Sequence, residues 1–507
     1  MNPKDTHRAV RGSAAGCRRV LMSLFLGLLT GQLLTGCALG PDFERPRAPA
    51  VTQYTQGQEP ARTVTAGGQA QHFAYGAKIS ADWWQLFKSP QLDLIIKEAV
   101  AQNADLQAAQ ARLRQNQENL RAGYGIFFPQ VSGSFSSTRQ RFTTAQFGAA
   151  NAPGTIFSLF TSSVSVSYLL DVFGGQRRTV EGLAAQVDYR NYTALATYLT
   201  LLGNVVNAAV AQAAYGAQIE ATDQLIGFQK EQLRITETQA QAGTVPYANV
   251  VSLQAQLAAT EATLPPLRQN LDKTRHLLAA LVGRTPGEWT PPRLRLGDFT
   301  LPQEFPVTLP SQLVRQRPDI LAAEATLHNA SANIGVATAA MFPNFNLTAS
   351  YGQTADEVTK LFATSANIWS LGSAIAQPLF RGGTLWHQRK AAIEAYQASA
   401  ADYRQVVVTA FQQVADSLRA VEHDAETLKA QAAALAAADQ ALRLVQANYQ
   451  AGLVNYLQVL TADNQYQQAR LGYIQAQALR LQDSAALFVA LGQGWWRPEA
   501  RTGKELE

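Results

Sequence analysis

The sequence predicts a mixed α and β membrane protein that contains an internal duplication. Three observations support this prediction: an export signal at the start of the chain, segments in which apolar and polar residues alternate, and long proline-free stretches rich in Ala and Gln. The duplication shows most clearly in a repeated turn, because QAGTVPYANVV at 241–251 returns as QAGLVNYLQVL at 450–460.

Residues 1–36 are expected to form a lipoprotein signal peptide. Five Lys and Arg residues precede the apolar run Val20–Leu29, which is too short to span a bilayer comfortably. The run ends in LTGC at 34–37, which resembles a bacterial lipobox. The mature chain is therefore expected to begin at Cys37, carrying S-diacylglycerol and an N-acyl group. Ala38 and Leu39, and not an Asp, directly follow this cysteine, which favours the outer membrane over the inner membrane.

The composition excludes several classes of function. Without the leader, the 42 Lys/Arg and 37 Asp/Glu of the full chain become 37 and 36, a net charge of +1. The mature chain is therefore not basic enough to indicate nucleic-acid binding. Cys37 would be the only cysteine, which leaves no disulfide. The six histidines are scattered singly, and no zinc, phosphate-loop or serine-nucleophile motif occurs. No catalytic residue, metal site or cofactor is predicted.

The chain is predicted to contain two repeats, 96–290 and 300–496, with the same elements in the same order. Phe-Pro at 128–129 and 342–343 precedes alternating sequence, and Gly-Gly at 174–175 and 382–383 follows it. We expect each Gly-Gly pair to turn the chain from strand to helix. Outside the repeats lie an acyl-anchored N-terminal and equatorial segment, 37–95, and a C-terminal tail, 497–507.

Two strands are predicted in each repeat. They lie near 128–141, 156–171, 343–353 and 367–378, with apolar side chains on one face and mainly Ser, Thr or Asn on the other, although the alternation is less clean in the last segment. Each has about the length that a tilted membrane-spanning strand needs. Four strands cannot close a membrane barrel, since the smallest have about eight, so several protomers must share one. Three protomers would supply twelve strands.

Long helices are predicted for most of the remainder. From Thr384 to Trp496 there is no proline, and Ala-rich stretches suit close packing between helices. The alternative of an ordinary coiled coil lacks sustained leucine heptads.

These features together resemble the outer-membrane factor lipoproteins of tripartite efflux systems. The resemblance covers the mature chain and is carried by the LTGC start, the Phe-Pro strand entries, LVRQRPDILAAE at 313–324, IGVATAAMFP at 334–343 and AALFVALGQGWW at 485–496. It implies a homotrimer whose twelve-stranded β-barrel, with four strands per protomer, continues into a long periplasmic α-helical barrel. It also implies a passive, gated exit channel for drugs or toxic compounds, located in the outer membrane and contacting its lipid. The implied partners are a periplasmic adaptor, or membrane fusion protein, and an inner-membrane transporter of the resistance-nodulation-division class.

The resemblance also assigns roles to the two repeated turns. As helix caps they need Gly243 and Gly452 at positive φ, with Pro246 in the first turn of the returning helix. As the periplasmic ends of the tube they would contact the adaptor. The residues expected there are Ala242, Gly243, Thr244, Ala451, Gly452 and Leu453.

The gate is expected just after the second turn. The family's gate positions correspond here to Leu457, Gln458, Thr461 and Asn464, with Asp463 close by. Leu457 matches the family's apolar constriction, but the charges usual at the other positions are missing. Asp463 would either complete a threefold carboxylate ring or lie on a solvated helix face, so an ionic gate remains an open alternative to an apolar one.

A second reading of the sequence is a periplasmic stalk or adhesin-like structural lipoprotein. In that case the strands would form a soluble sheet, and Phe345, Leu347 and Tyr351 would face water. An apolar face of that size is an aggregation hazard in water but is expected in a bilayer. This contrast favours the channel.

Overall fold

The computed structural model describes residues 38–57, 59–77, 80–143 and 154–492. Cys37, the predicted lipidation site, lies outside the described residues. Internal contacts divide the chain into two compact units. The first unit contains Gln115–Val187, Ala325–Ala400 and the described residues up to Arg45, and the second contains Pro46–Arg114, Asp188–Glu324 and the described residues from Ala401 onward.

Helices and strands follow one another in an order that reflects the duplication. The helices in the described residues are α1 Pro90–Gln102, α2 Ala104–Tyr124, α3 Gly175–Gln241, α4 Tyr247–Glu261, α5 Leu264–Val282, α6 Pro310–Gln316, α7 Pro318–Ala339, α8 Thr384–Gln450 and α9 Tyr456–Ala490. The strands are β1 His72–Tyr75, β2 Gln130–Phe142, β3 Thr155–Leu170, β4 Glu304–Val307, β5 Asn344–Ala355 and β6 Asn367–Ala376.

The first unit contains an open four-stranded sheet. Its strands are antiparallel and lie in the order β2-β3-β5-β6. Between β2 and β3 the register is unbroken, from Gln130 opposite Ser167 to Phe142 opposite Thr155. β2 and β6 are therefore edge strands, each with one side unpaired by any described residue.

The two faces of this sheet differ in chemistry. Because side chains alternate along a strand, residues two apart share a face. On one face Ser132, Ser165, Ser350 and Ser370 form a row across all four strands, with hydroxyl hydrogen bonds of 2.9 Å between the first two and 2.8 Å between the last two. The opposite face exposes Val131, Phe135, Val164, Leu347, Tyr351, Trp369, Leu371 and Ile375.

Glycines turn the chain from strand to helix at the end of each strand pair, as predicted. Gly174 and Gly383 adopt φ of +77° and +82°, values that favour glycine. At the first junction the Asp171 carboxylate accepts hydrogen bonds from the backbone N–H groups of Gln176 and Arg177, at 3.0 and 2.9 Å. These bonds satisfy N–H groups that the first turn of α3 leaves free.

Long helices dominate the chain beyond the sheet. α3 and α8 each contain 67 residues, as the proline-free Ala- and Gln-rich sequence predicts. α3 includes a window long and apolar enough to cross a membrane, but 56% of that window is buried within the protein. Such burial is typical of a helix that packs in a protein core.

A group of aromatic side chains lies within the largely aliphatic core of the second unit. Trp83 is fully buried and stacks on Phe488 with ring centroids 5.2 Å apart, and Phe488 in turn packs against Phe305. Phe305 belongs to β4, which pairs in parallel with β1. The sequence analysis did not predict this two-stranded sheet.

A buried arginine joins the segment before β1 to α9. Arg480 is almost completely buried, and its guanidinium donates to the Gln71 side chain and to the backbone carbonyl oxygens of Ala66 and Gln69, at 3.0–3.2 Å. Gln71 also donates to the Ser484 hydroxyl. A buried charge is tolerated only when its donors are satisfied, so these contacts fix the segment against the helix.

The close approach of α5 to the junction of α1 and α2 gives a first prediction. Gly283 has φ +80°, and a Cβ added there would lie 2.3 Å from the carbonyl oxygen of Gln102. Gly283→Ala is therefore expected to destabilise the protein by about 2–4 kcal/mol, from backbone strain and overpacking. Thermal unfolding in detergent, followed by circular dichroism, measures the effect. Gly287→Ala is the control, since nothing lies within 4 Å of a Cβ there; equal melting temperatures for the two variants would contradict the prediction.

Candidate functional site

The two repeated turns have the same backbone geometry. Gly243 and Gly452 have φ of +72° and +73°. In each turn the residue after the glycine donates its N–H to a carbonyl five residues earlier: Thr244 to Gln239 and Leu453 to Asn448, both at 2.9 Å. These are Schellman caps, which satisfy carbonyls at the end of a helix.

The helices that leave the two turns begin differently. α9 begins after Asn455, whose side chain accepts from the backbone N–H of Gln458 at 3.3 Å. α4 begins after Pro246, which has no side-chain cap. Pro246 therefore precedes the helix as its N-cap instead of lying in the first turn, where the sequence analysis placed it.

The residues predicted to contact an adaptor all lie on the surface of these turns. The six residues are Ala242, Gly243, Thr244, Ala451, Gly452 and Leu453, and each of them is exposed. Leu453 is the largest apolar side chain among them, and it is 75% exposed. The turns thus present a small backbone-rich surface with one prominent leucine.

A cluster of apolar side chains holds the two turns' helices together. Tyr456, Val459 and Leu460 of α9 are buried against Leu253 of α4. Tyr449 of α8 packs edge-on against Tyr456, with ring centroids 5.4 Å apart. This cluster determines which side of α9 faces the protein and which remains uncovered.

The five predicted gate residues divide between these two sides of α9. Leu457, Gln458 and Thr461 are exposed, and Leu457 is 67% exposed. The Thr461 hydroxyl donates to the carbonyl oxygen of Leu457 at 2.9 Å and so keeps its hydrogen bond within the helix. The structure therefore brings an apolar and two uncharged polar side chains together on one open face.

Asp463 and Asn464 point instead toward the helical hairpin formed by α3 and α4, here called the first hairpin, and are only partly exposed. The Asp463 carboxylate accepts from the side-chain amide of Gln229 on α3 at 3.3 Å. The Asn464 carbonyl oxygen accepts from the amide of Gln256 on α4 at 2.6 Å. Gln229 is buried, and its own amide oxygen has no hydrogen-bond partner among the described residues.

The sequence analysis missed Gln229 and Gln256. Glutamine recurs throughout these helices, so neither position carried a distinguishing signal. Their contacts depend on how α3, α4 and α9 pack, which a local pattern does not reveal. Among the described residues, no group of three or more His, Cys, Asp or Glu side chains could hold a metal ion.

Burial changes the acidity of Asp463. Removal from water raises the pKa of this carboxyl above its usual value of 3.8, and the hydrogen bond from Gln229 opposes that rise. The neighbouring Tyr456 also has a raised pKa, first because of its own burial and then because of the Asp463 charge. Asp463 is therefore protonated more readily where α9 packs on α3 than a carboxyl in water is.

Known proteins share both the sequence pattern and the fold. A family model described as outer membrane efflux protein matches residues 95–284 and 309–493. The toluene efflux pump outer membrane protein TtgC of Pseudomonas putida is 28% identical over 485 residues, which cover 95% of this chain and 98% of that protein. The cation efflux system protein CusC of Escherichia coli is 27% identical over 471 residues, covering 91% of this chain and 97% of that protein.

A solved structure agrees with these sequence relatives. The open state of the MtrE outer membrane channel of Neisseria gonorrhoeae aligns with a TM-score of 0.77 at 25% identity, covering 90% of this chain and 98% of that chain. The family model matches the chain in two separate ranges, as a duplicated protein requires. The protein is an efflux channel of the outer membrane and not an enzyme. The chain belongs to the outer membrane efflux protein family.

Proposed function

We propose that three copies of this chain close a twelve-stranded barrel and form the exit duct of a tripartite efflux pump. The observation that carries this proposal is the open sheet β2-β3-β5-β6, with its two free edges and its exposed apolar face. Lipid cannot hydrogen-bond the backbone of a free edge, so the edges must pair with other copies. The serine-rich face then lines a wet lumen, and the apolar face contacts lipid.

The exposed turns are the proposed docking surface for a periplasmic adaptor. Backbone-rich turns that expose Gly243, Gly452 and Leu453 allow a helical partner to approach closely. An inner-membrane transporter of the resistance-nodulation-division class would load the duct through this adaptor. The relative TtgC is itself named as part of an efflux pump, which supports such an assembly.

The proposed channel is passive, and its cargo is set by the transporter. Among the relatives, TtgC is named for toluene and CusC for cations, so one fold serves chemically different cargo. We propose small drugs or toxic compounds as the substrates of this pump. Energy would come from the inner-membrane partner, and the duct itself would only open and close.

The segment after the predicted lipid anchor supports lipidation at Cys37. Leu39 donates its backbone N–H to the carbonyl oxygen of Phe173 at 3.1 Å, just beyond the end of β3. The buried Arg178 binds Asp42 at 2.6 Å and also donates to the carbonyl oxygen of Leu39 at 3.3 Å. These contacts hold the start of the mature chain at the junction between the strands and the helices. In the proposed barrel this junction lies at the periplasmic surface of the membrane, where an acyl chain on Cys37 could enter the lipid.

Native mass spectrometry of the protein extracted in mild detergent tests the shared barrel. We expect a trimer in which each copy carries the mass of the acyl groups on Cys37. Cys37→Ser should remove the added mass and leave the edge-strand pairing intact. A stable acylated monomer would contradict the proposal and favour the stalk.

The proposed constriction at Leu457 predicts an effect on conductance. If three copies of this exposed leucine narrow the pore, Leu457→Ala should raise single-channel conductance severalfold in planar bilayers, because it removes three bulky side chains from the narrowest level. Leu444→Ala is the matched control, since Leu444 on α8 is 62% exposed, close to the 67% of Leu457. Unchanged conductance in Leu457→Ala, or an equal rise in Leu444→Ala, would remove Leu457 from the gate.

The buried carboxyl of Asp463 predicts a pH dependence of opening. Its pKa is raised where α9 packs on α3, so the packed, closed arrangement gains stability as pH falls through that raised value and loses it as pH rises. Single-channel recordings between pH 7 and about 4 should show the open probability falling with pH. Asp463→Asn should give the low open probability at every pH.

Asp439→Asn serves as the control for this measurement. Asp439 lies on α8, where its carboxylate pairs with Arg443 at 2.6 Å. This variant should keep the wild-type pH profile. A profile that persists unchanged in Asp463→Asn would show that another group is responsible.

A further inference from the structure

Two arginines lie on the apolar face of the sheet, at the end remote from the helices. Arg139 and Arg141 are exposed residues of β2, opposite Ser158 and Ile156 of β3. The register between these strands is unbroken, so both arginines share a face with Val131 and Phe135. This is the face that contacts lipid in the proposed barrel, and the present inference rests on that proposal.

Distances along the strand place the arginines above the apolar band. The stretch of β3 from Leu170 to Ser158 measures about 40 Å, or about 30 Å in height for a strand tilted by about 40°. The outward apolar band of such barrels is about 25 Å tall. If Leu170 lies near the periplasmic edge of the apolar band, Arg139 lies beyond the opposite edge of the band, at the level of the lipid headgroups.

That side is the outer leaflet. The sheet joins the helices of the first unit near Gln130, Leu170, Asn344 and Ala376. The opposite ends of the strands are at Phe142, Thr155, Ala355 and Asn367, and residues 356–366 connect β5 to β6 there. Because the helices extend into the periplasm in the proposed assembly, the end that carries Arg139 and Arg141 faces outward.

The charge of these arginines is not balanced by nearby carboxylates. The sequence contains no Asp or Glu between Glu118 and Asp171, a range that includes all of β2 and β3. In the neighbouring connection, Asp356 and Glu357 both pair with Lys360, at 3.6 and 2.9 Å. Within the part of the chain that the structure describes, neither arginine has an ion pair.

We propose that Arg139 and Arg141 bind a phosphate group of a phosphorylated glycolipid of the lipid A class in the outer leaflet. Residues two apart on a strand lie about 7 Å apart, so both guanidinium groups can reach one phosphate. Guanidinium matches phosphate geometry through paired N–H donors, and the Ser158 hydroxyl opposite Arg139 supplies a further donor. In a trimer the site occurs three times around the barrel, once beside each β2.

Lipid retention by the full-length protein tests this site. Wild type, the double variant Arg139→Gln with Arg141→Gln, and the control Lys360→Gln are titrated in detergent with bisphosphorylated lipid A, and bound lipid is counted by native mass spectrometry. The control removes one positive charge from the same end of the sheet, but one already neutralised by Asp356 and Glu357. We expect the double variant to bind lipid A at least tenfold more weakly, and the control to bind as wild type does.

Two further arms use the wild-type protein alone. Dephosphorylated lipid A should bind at least tenfold more weakly than the bisphosphorylated form. Inorganic phosphate at millimolar concentration should not displace bound bisphosphorylated lipid A. Equal binding of the two lipids, or equal binding by the double variant, would overturn the inference. Displacement by inorganic phosphate would also overturn it, by indicating a free-anion site.

The outcomes separate this inference from the proposed function. Trimer mass and conductance are measured on the same samples. A conducting wild-type trimer that does not distinguish the two lipids refutes the lipid site alone. If the double variant fails to assemble, the comparison of the two lipids on wild type decides. A wild-type protein that forms no trimer refutes the shared barrel, and the lipid site with it.

Discussion

The free edges of a four-stranded sheet are the constraint on which the rest of this protein depends. Along an edge strand, alternate residues point their N–H and C=O groups outward, so the ten-residue β6 leaves roughly ten such groups that no described residue pairs. In hydrocarbon each unpaired group costs several kcal/mol, a total far above the ~5–15 kcal/mol by which folded proteins are stable. The apolar face keeps the sheet in lipid, and the edges make a single copy insufficient there. A symmetric closed barrel of several copies keeps the apolar face in lipid and also pairs every strand edge.

Regular patterns made much of the fold predictable from the sequence. Alternation along Val164–Leu170 and Asn344–Tyr351 predicted strands, because a membrane sheet leaves one face apolar along its whole length. Gly243 and Gly452 predicted the turns, because only glycine adopts their φ without strain. β1 and β4 were not predicted: each has four residues, and their pairing joins positions more than two hundred residues apart. No local period records such a contact.

The sequence shows which residues are the candidates for the gate but not which way their side chains face on α9. Leu457 and Asp463 are close in sequence, yet one is exposed and the other binds Gln229. The difference arises from the packing of Tyr456, Val459 and Leu460 against the first hairpin, which fixes the rotation of α9. The two repeats have also diverged here. After the first turn the helix is interrupted between α4 and α5, and Pro265 and Pro266 lie in the first turn of α5, whereas α9 continues unbroken through 35 residues.

The row formed by Ser132, Ser165, Ser350 and Ser370 determines how the proposed barrel wall would treat passing molecules. A hydroxyl both donates and accepts, so cationic, anionic and neutral solutes would each find hydrogen-bond partners there. No described side chain on that face carries a full charge that would retain one class of solute and slow the others. On such a wall, brief hydrogen bonds to hydroxyl groups would replace the water that a solute loses on entering the pore. Each bond would then break again as the solute moves on.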